Sequence, residues 1–166
     1  LFPYTTLFRS GLSRAEYPMD LTQNQDVFVE VSGLLKALAV NLMKISNDLR
    51  LMNSDPYQEI CLKPMQKGST IMPGKVNPVI PEMISQVAIQ VVGNDAAISY
   101  AAMSGQFELN AFLPLIADNL LNSLELLTNG VHIFREKCIE PLTVNMNGCK
   151  RHLLSVTAAV TSLVPL

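Results

Sequence analysis

The stretch Gly68-Ser69-Thr70-Ile71-Met72-Pro73-Gly74-Lys75-Val76-Asn77-Pro78 breaks a chain that is otherwise apolar and helical in pattern. Gly68 and Gly74 permit tight backbone paths, and Pro73 and Pro78 fix φ where they sit. No long α-helix can run through it. Within a few residues it gathers two hydroxyls (Ser69, Thr70), an ammonium (Lys75) and a carboxamide (Asn77). Loops held by rigid helices are where binding and catalytic groups concentrate.

On its N-terminal side, Gln25 to Leu51 repeats apolar residues at three- and four-residue steps. Val27, Val31, Leu34, Leu35, Leu38, Leu42, Ile45 and Leu49 form the stripe, widened by Phe28 and Ala39. Asp26 suits the start of a helix, and Lys44 and Arg50 lie toward its other end. Gly33 costs stability inside a helix, so it marks an expected close approach of another helix. Asn41, Asn47 and Asp48 fall on an expected solvated face. The turn cluster Asn53-Ser54-Asp55-Pro56 then opens a connection of about 25 residues, long for a structureless link.

On its C-terminal side a second helix is expected from Ile80 or Pro81 to about Met103. Proline in the first turn and Glu82 beside the N-terminal amides both suit it. Its apolar residues surround it nearly completely, as in a helix buried in a bundle, and Gly93 suggests a bend or close packing. Gln106 to Asn110 alternates and reads as a short strand, an extended link or a helical turn. A third helix is expected from about Pro114 to Lys137, weakened at Gly130. The chain turns at Glu140-Pro141, and a fourth helix is expected from about Asn147 to Ser162. The fold class is therefore all-α, a bundle of long helices.

Length and composition narrow the function. The 166 residues make one domain or one piece of a larger one, and only 16% are charged. The mean hydropathy is +0.27, so some apolar faces are expected to meet partners. A net charge of -2 without a basic block excludes nucleic-acid binding as a leading role. Polar residues interrupt every apolar run, so no membrane segment is expected. Cys61, Cys138 and Cys149 are odd in number and widely spaced, which fits reduced thiols in a cytoplasmic protein. His132 and His152 lack ligand-spaced companions, so neither a metal nor a cofactor is expected. The missing initiator methionine and the ending at Val164-Pro165-Leu166 lead us to expect a segment of a longer chain. Residues 1–10 read as an unstructured lead-in or a translated adapter remnant, and 11–166 as part of a central helical domain.

The central loop is not a P-loop, because Gly74-Lys75 is followed by Val76. It lacks the Gly-x-Ser-x-Gly elbow of serine hydrolases, and it has no nearby histidine. Composition and spacing leave it open between a polar site and an inert connection.

As a whole, Gly68 to Pro78 resembles the signature loop of the fumarase/aspartase superfamily. The likeness extends through Glu82, Gln90-Val91-Val92-Gly93-Asn94-Asp95 and Gly105-Gln106-Phe107-Glu108-Leu109-Asn110. Upstream it includes Gln23 to Gly33 and Ile45-Ser46-Asn47-Asp48-Leu49-Arg50, so nearly everything from residue 20 onward takes part. Membership implies the central helical-bundle domain of that superfamily and β-elimination from a succinyl-type substrate to give fumarate, or the reverse addition. It implies Ser69 as the base that removes the Cβ proton, with Lys75, Asn77 and Thr70 binding substrate. It implies that Glu82 orients a histidine donated by another segment; neither His132 nor His152 matches that histidine. Asn94 reads instead as a buried polar group of the bundle.

Within the superfamily, Gln106 and the segment around Phe134-Arg135-Glu136 resemble the aspartate ammonia-lyase branch more than the fumarase branch, which carries a histidine at the position of Gln106. The expected activity of the full-length parent is therefore conversion of L-aspartate to fumarate and ammonia. Fumarate hydratase, another succinyl-compound lyase and a noncatalytic helical assembly domain are the alternatives. The expected partners are a small dicarboxylate substrate and, in the parent, a homotetramer whose active sites combine loops from three subunits. With those other loops absent, the 166-residue chain is expected to have little or no lyase activity alone.

Overall fold

The structure is a computed structural model that describes residues 15–72 and 74–155. The expected lead-in at 1–10, Pro73, and the end of the last helix from Val156 onward lie outside the described residues. Five α-helices and one two-stranded sheet are present among them: α1 Pro18–Gln23, α2 Asp26–Met52, β1 Ile60–Cys61, α3 Val79–Met103, α4 Leu113–Phe134, β2 Thr143–Val144 and α5 Met146–Ser155. A single π-turn, Arg135–Ile139, extends α4, closed by the Glu140 amide donating to the Arg135 carbonyl at 2.9 Å. The all-α bundle is thus the observed fold.

The three long helices pack side by side with α3 in the middle. Arg50 near the end of α2 meets Glu82 near the start of α3, while Ser32 near the start of α2 meets Asp95 in the second half of α3. These two helices are therefore antiparallel. Gly130, late in α4, lies against Ile84 and Val87, early in α3, so this pair is antiparallel too. Small residues set the spacing: an added Cβ on Gly130 would touch Ile84 Cδ1 at 3.4 Å. Its cost in helix propensity is offset by this close contact.

The larger core cluster joins Ala39, Leu42 and Leu49 of α2 with Ile84, Ala88 and Val91 of α3, Leu127 and Phe134 of α4, Cys138 of the π-turn, and Ile60. A smaller cluster of Ile98, Ala101 and Ile116 closes the other end. Full burial of each isoleucine contributes about 1.5–3 kcal/mol.

Two neighbouring polar residues fix the register. Asn94 Nδ2 donates to Ser123 Oγ and Asn122 Oδ1 of α4, both at 3.0 Å. Its neighbour Asp95 accepts from Ser32 Oγ at 2.8 Å and Lys36 Nζ at 2.6 Å, both on α2. Asn94 is therefore a buried bundle group, as its sequence context indicated.

Three local expectations change. The apolar stripe of α2 divides into two faces. Ser32, Ala39, Leu42, Ser46 and Leu49 are buried against the chain's own helices. Val27, Val31, Leu34, Leu38 and Ile45 remain exposed, Leu34 at 68%. Gly33 and Gly93 have nothing within 4 Å of an added Cβ, so neither marks a close approach among the described residues. Gln106 and Leu109 form an isolated antiparallel bridge around a tight turn, with Phe107 at φ 51. Asn110 supports that turn by donating to the Ala101 and Ala102 carbonyls.

Candidate active site

The connection between α2 and α3 divides into a stapled half and a protruding half. In the first half, the Glu59 amide donates to the Met52 carbonyl at 2.9 Å, and Asn53 Oδ1 accepts from the Leu62 amide at 2.8 Å. β1 pairs antiparallel with β2, Ile60 opposite Val144 and Cys61 opposite Thr143. Asn145 adds two bonds, its amide to the Glu59 carbonyl and its Nδ2 to the Gln58 carbonyl. His152 Nδ1 lies 2.9 Å from Glu59 Oε1, and its ring meets Tyr57 edge-on. Gly148 is required here: a Cβ would fall 2.1 Å from the Gln58 carbonyl oxygen.

The second half carries the signature loop. The Ser69 amide donates to the Lys75 carbonyl at 3.0 Å, closing residues 69–75 into a ring. Inside it, the Lys75 amide donates to the Met72 carbonyl, and Gly74 adopts φ +86, a conformation costly for any residue with a Cβ. Ser69 is half-buried, and its Oγ accepts the amide N–H groups of Ile71 and Met72, each at 3.1 Å. The serine hydroxyl thus lies at a convergence of two backbone dipoles. Such donors favour negative charge on the oxygen they face.

The other residues singled out in the sequence occupy different positions. Thr70, Lys75 and Asn77 are exposed, and the side chains of Lys75 and Asn77 make no hydrogen bond or ion pair among the described residues. The loop joins Ser69 and Lys75 through the backbone. Glu82 stands apart, in the first turn of α3, where its carboxylate lies 3.8 Å from Arg50 Nη2. Neither histidine adjoins it: His132 pairs with Glu136 and His152 with Glu59. Among the described residues no group of three or more His, Cys, Asp or Glu side chains is placed to hold a metal ion.

Sequence reasoning missed two parts of this arrangement. The Ile71 and Met72 donors are backbone groups, which no side-chain pattern signals. Arg50 had a legible signal in its charge, since it and Glu82 flank the connection at adjoining helix ends. Two grooves lie elsewhere. One, of about 670 Å³ and including Asn24, Asp26, Glu30 and Met103, sits at the opposite end of the bundle. Another, of about 200 Å³, is apolar and runs between Ala39 and Met43 of α2 and Ala88 and Val92 of α3.

The family described as lyase matches residues 6–93, more than half of the chain. This chain belongs to the fumarase/aspartase lyase superfamily. Fumarate hydratase class II 2 of Pseudomonas aeruginosa is 52% identical over 149 residues, covering 88% of this chain and 32% of that protein. Aspartate ammonia-lyase of Helicobacter pylori is 45% identical over 150 residues, covering 89% of this chain and 32% of that one. A crystal structure of fumarate lyase:delta crystallin from Brucella melitensis matches with a TM-score of 0.89 and 42% identity, over 96% of this chain and 36% of that one. The chain thus spans about a third of the length of these relatives. Both branch names occur among these relatives.

Proposed function

We propose that this chain contributes the base-bearing loop to a composite active site that forms fumarate by β-elimination from a succinyl-type substrate, or performs the reverse addition. The observation that carries this reading is the pair of amide N–H groups, from Ile71 and Met72, directed at Ser69 Oγ. A serine hydroxyl is a poor base at neutral pH. Two fixed donors, with the Lys75 cation in the same loop, favour its alkoxide.

In the proposed step the Ser69 alkoxide takes the Cβ proton. The Cβ–H electron pair passes through the dianionic aci-carboxylate into the new C=C bond, and the Cα–heteroatom bond breaks. Lys75 and Asn77 bind the substrate carboxylate, one by charge and one by an oriented amide donor, with Thr70 alongside. Glu82 orients a histidine supplied by another segment.

The finer reading is L-aspartate as substrate, with ammonia as leaving group, and it rests on Gln106. Fumarate hydratase is the second reading, favoured by the 52% identity to the Pseudomonas enzyme. Assaying the enzyme from the complete reading frame with aspartate, malate and argininosuccinate, by fumarate absorbance, separates them. Ser69→Ala with normal turnover would defeat the base assignment and favour a noncatalytic assembly role.

Assembly belongs to the same proposal. Exposed apolar residues on all three long helices, including Leu34, Ile89 and Leu121, are suited to contact with further subunits, and we assign them to a homotetramer. No helix among the described residues is long and apolar enough to cross a membrane. The three cysteines are free, which supports a cytoplasmic location.

A further inference from the structure

We infer that Arg50 is a positioning residue for Glu82. This rests on the proposed role of Glu82 as the acid that orients a donated histidine. Arg50 lies in the last turn of α2 and Glu82 in the first turn of α3. Each charge sits at the helix end whose dipole favours it, and the two ends adjoin because the helices are antiparallel. The pair therefore bridges the stems of the connection that carries Ser69.

The contact is electrostatic. Arg50 Nη2 lies 3.8 Å from Glu82 Oε1, and the Glu82 carboxylate makes no hydrogen bond among the described residues. The guanidinium thus holds the carboxylate by charge and leaves its lone pairs to accept an imidazole N–H. Glu82 is also fixed through its backbone: its amide donates to the Pro78 carbonyl at 3.2 Å, and its carbonyl accepts from Gln86 Nε2 at 3.4 Å. The remaining freedom is in the side chain, which is what the guanidinium restrains. Both side chains are more than a third exposed, at 42% and 35%, so the ion pair adds little to stability. Its effect is orientation.

The test uses Arg50→Ala, Arg50→Lys, Glu82→Gln and the double variant Arg50→Ala/Glu82→Gln in the enzyme from the complete reading frame. Arg50→Ala is expected to lower kcat roughly 10- to 100-fold with KM little changed, the range expected when an acting group is misplaced. Arg50→Lys should restore most of the rate. In the Glu82→Gln background, Arg50→Ala should cost nothing further. An unchanged kcat in Arg50→Ala, or losses that multiply in the double variant, overturns the inference.

Ser69→Ala, run alongside, separates this from failure of the catalytic reading: an inactive Ser69→Ala with a normal Arg50→Ala removes only the role of Arg50. A measurement independent of turnover is the carboxyl carbon resonance of Glu82 in the 166-residue chain. It should move in Arg50→Ala and largely return in Arg50→Lys; a resonance unmoved by Arg50→Ala also overturns the inference.

Discussion

The amide of Ser69 donates to the carbonyl of Lys75 at 3.0 Å, and a Cβ added at Gly68 would meet that same carbonyl oxygen at 3.0 Å. The ring closure that sets Ser69 against its two amide donors therefore depends on a missing side chain one residue earlier. Gly68→Ala should open the ring and weaken the Ser69 contacts. We expect kcat of the complete enzyme to fall by roughly 10-fold or more, with the melting temperature almost unchanged because the loop is exposed. Paired kinetic and thermal measurements check this.

Ser69→Ala should cost more. If its Oγ is the base, turnover should drop by a factor on the order of 10²–10⁴, the usual contribution of proton transfer. KM should change much less. Steady-state kinetics with aspartate and with malate give the result for both substrate branches.

Ser46 is fully buried in α2, and its hydroxyl has no hydrogen-bond partner among the described residues. An unsatisfied hydroxyl in an apolar setting is unfavourable, and alanine is the better helix former. Ser46→Ala is expected to stabilise the chain by about 0.5–1 kcal/mol in urea unfolding. The converse holds at Asp95, where alanine removes the acceptor shared by Ser32 and Lys36; we expect a loss of about 2 kcal/mol or more.

Burial pushes the Cys138 thiol above its ordinary pKa. The folded chain then holds this proton more tightly than the unfolded chain. The stability it contributes is intact below the ordinary thiol pKa and is lost as pH rises through the raised folded value. Unfolding free energy should decline on the alkaline side, less so in Cys138→Ala. Thiol labelling of the native chain should modify exposed Cys61 first and leave Cys138 protected.

The fold was legible because its helices are long and strongly periodic. Proline and acid at the start of α3 and the turn cluster after α2 set boundaries close to those observed. Periodicity did not reveal which apolar face meets which neighbour. On α2 the bulky residues Val27, Leu34 and Ile45 dominate the pattern, yet the chain's own core takes Ser32, Ala39 and Ser46, whose small side chains let α3 approach. The loop's side-chain chemistry was readable in Ser69, Lys75 and Asn77. The amides of Ile71 and Met72 were not, because every residue except proline carries that donor and only the ring geometry directs it.

The staple on the connection also orders events in time. Its bonds from Asn145, Cys149 and His152 span 87, 90 and 93 residues of sequence. Contacts that close such long loops form late, after local helices. On the ribosome, Gln58 and Glu59 emerge well before the residues that hold them. The segment leading into the Ser69 loop must therefore wait, with its final shape unset, until the chain has grown past residue 152. The bundle matures before the connection it carries.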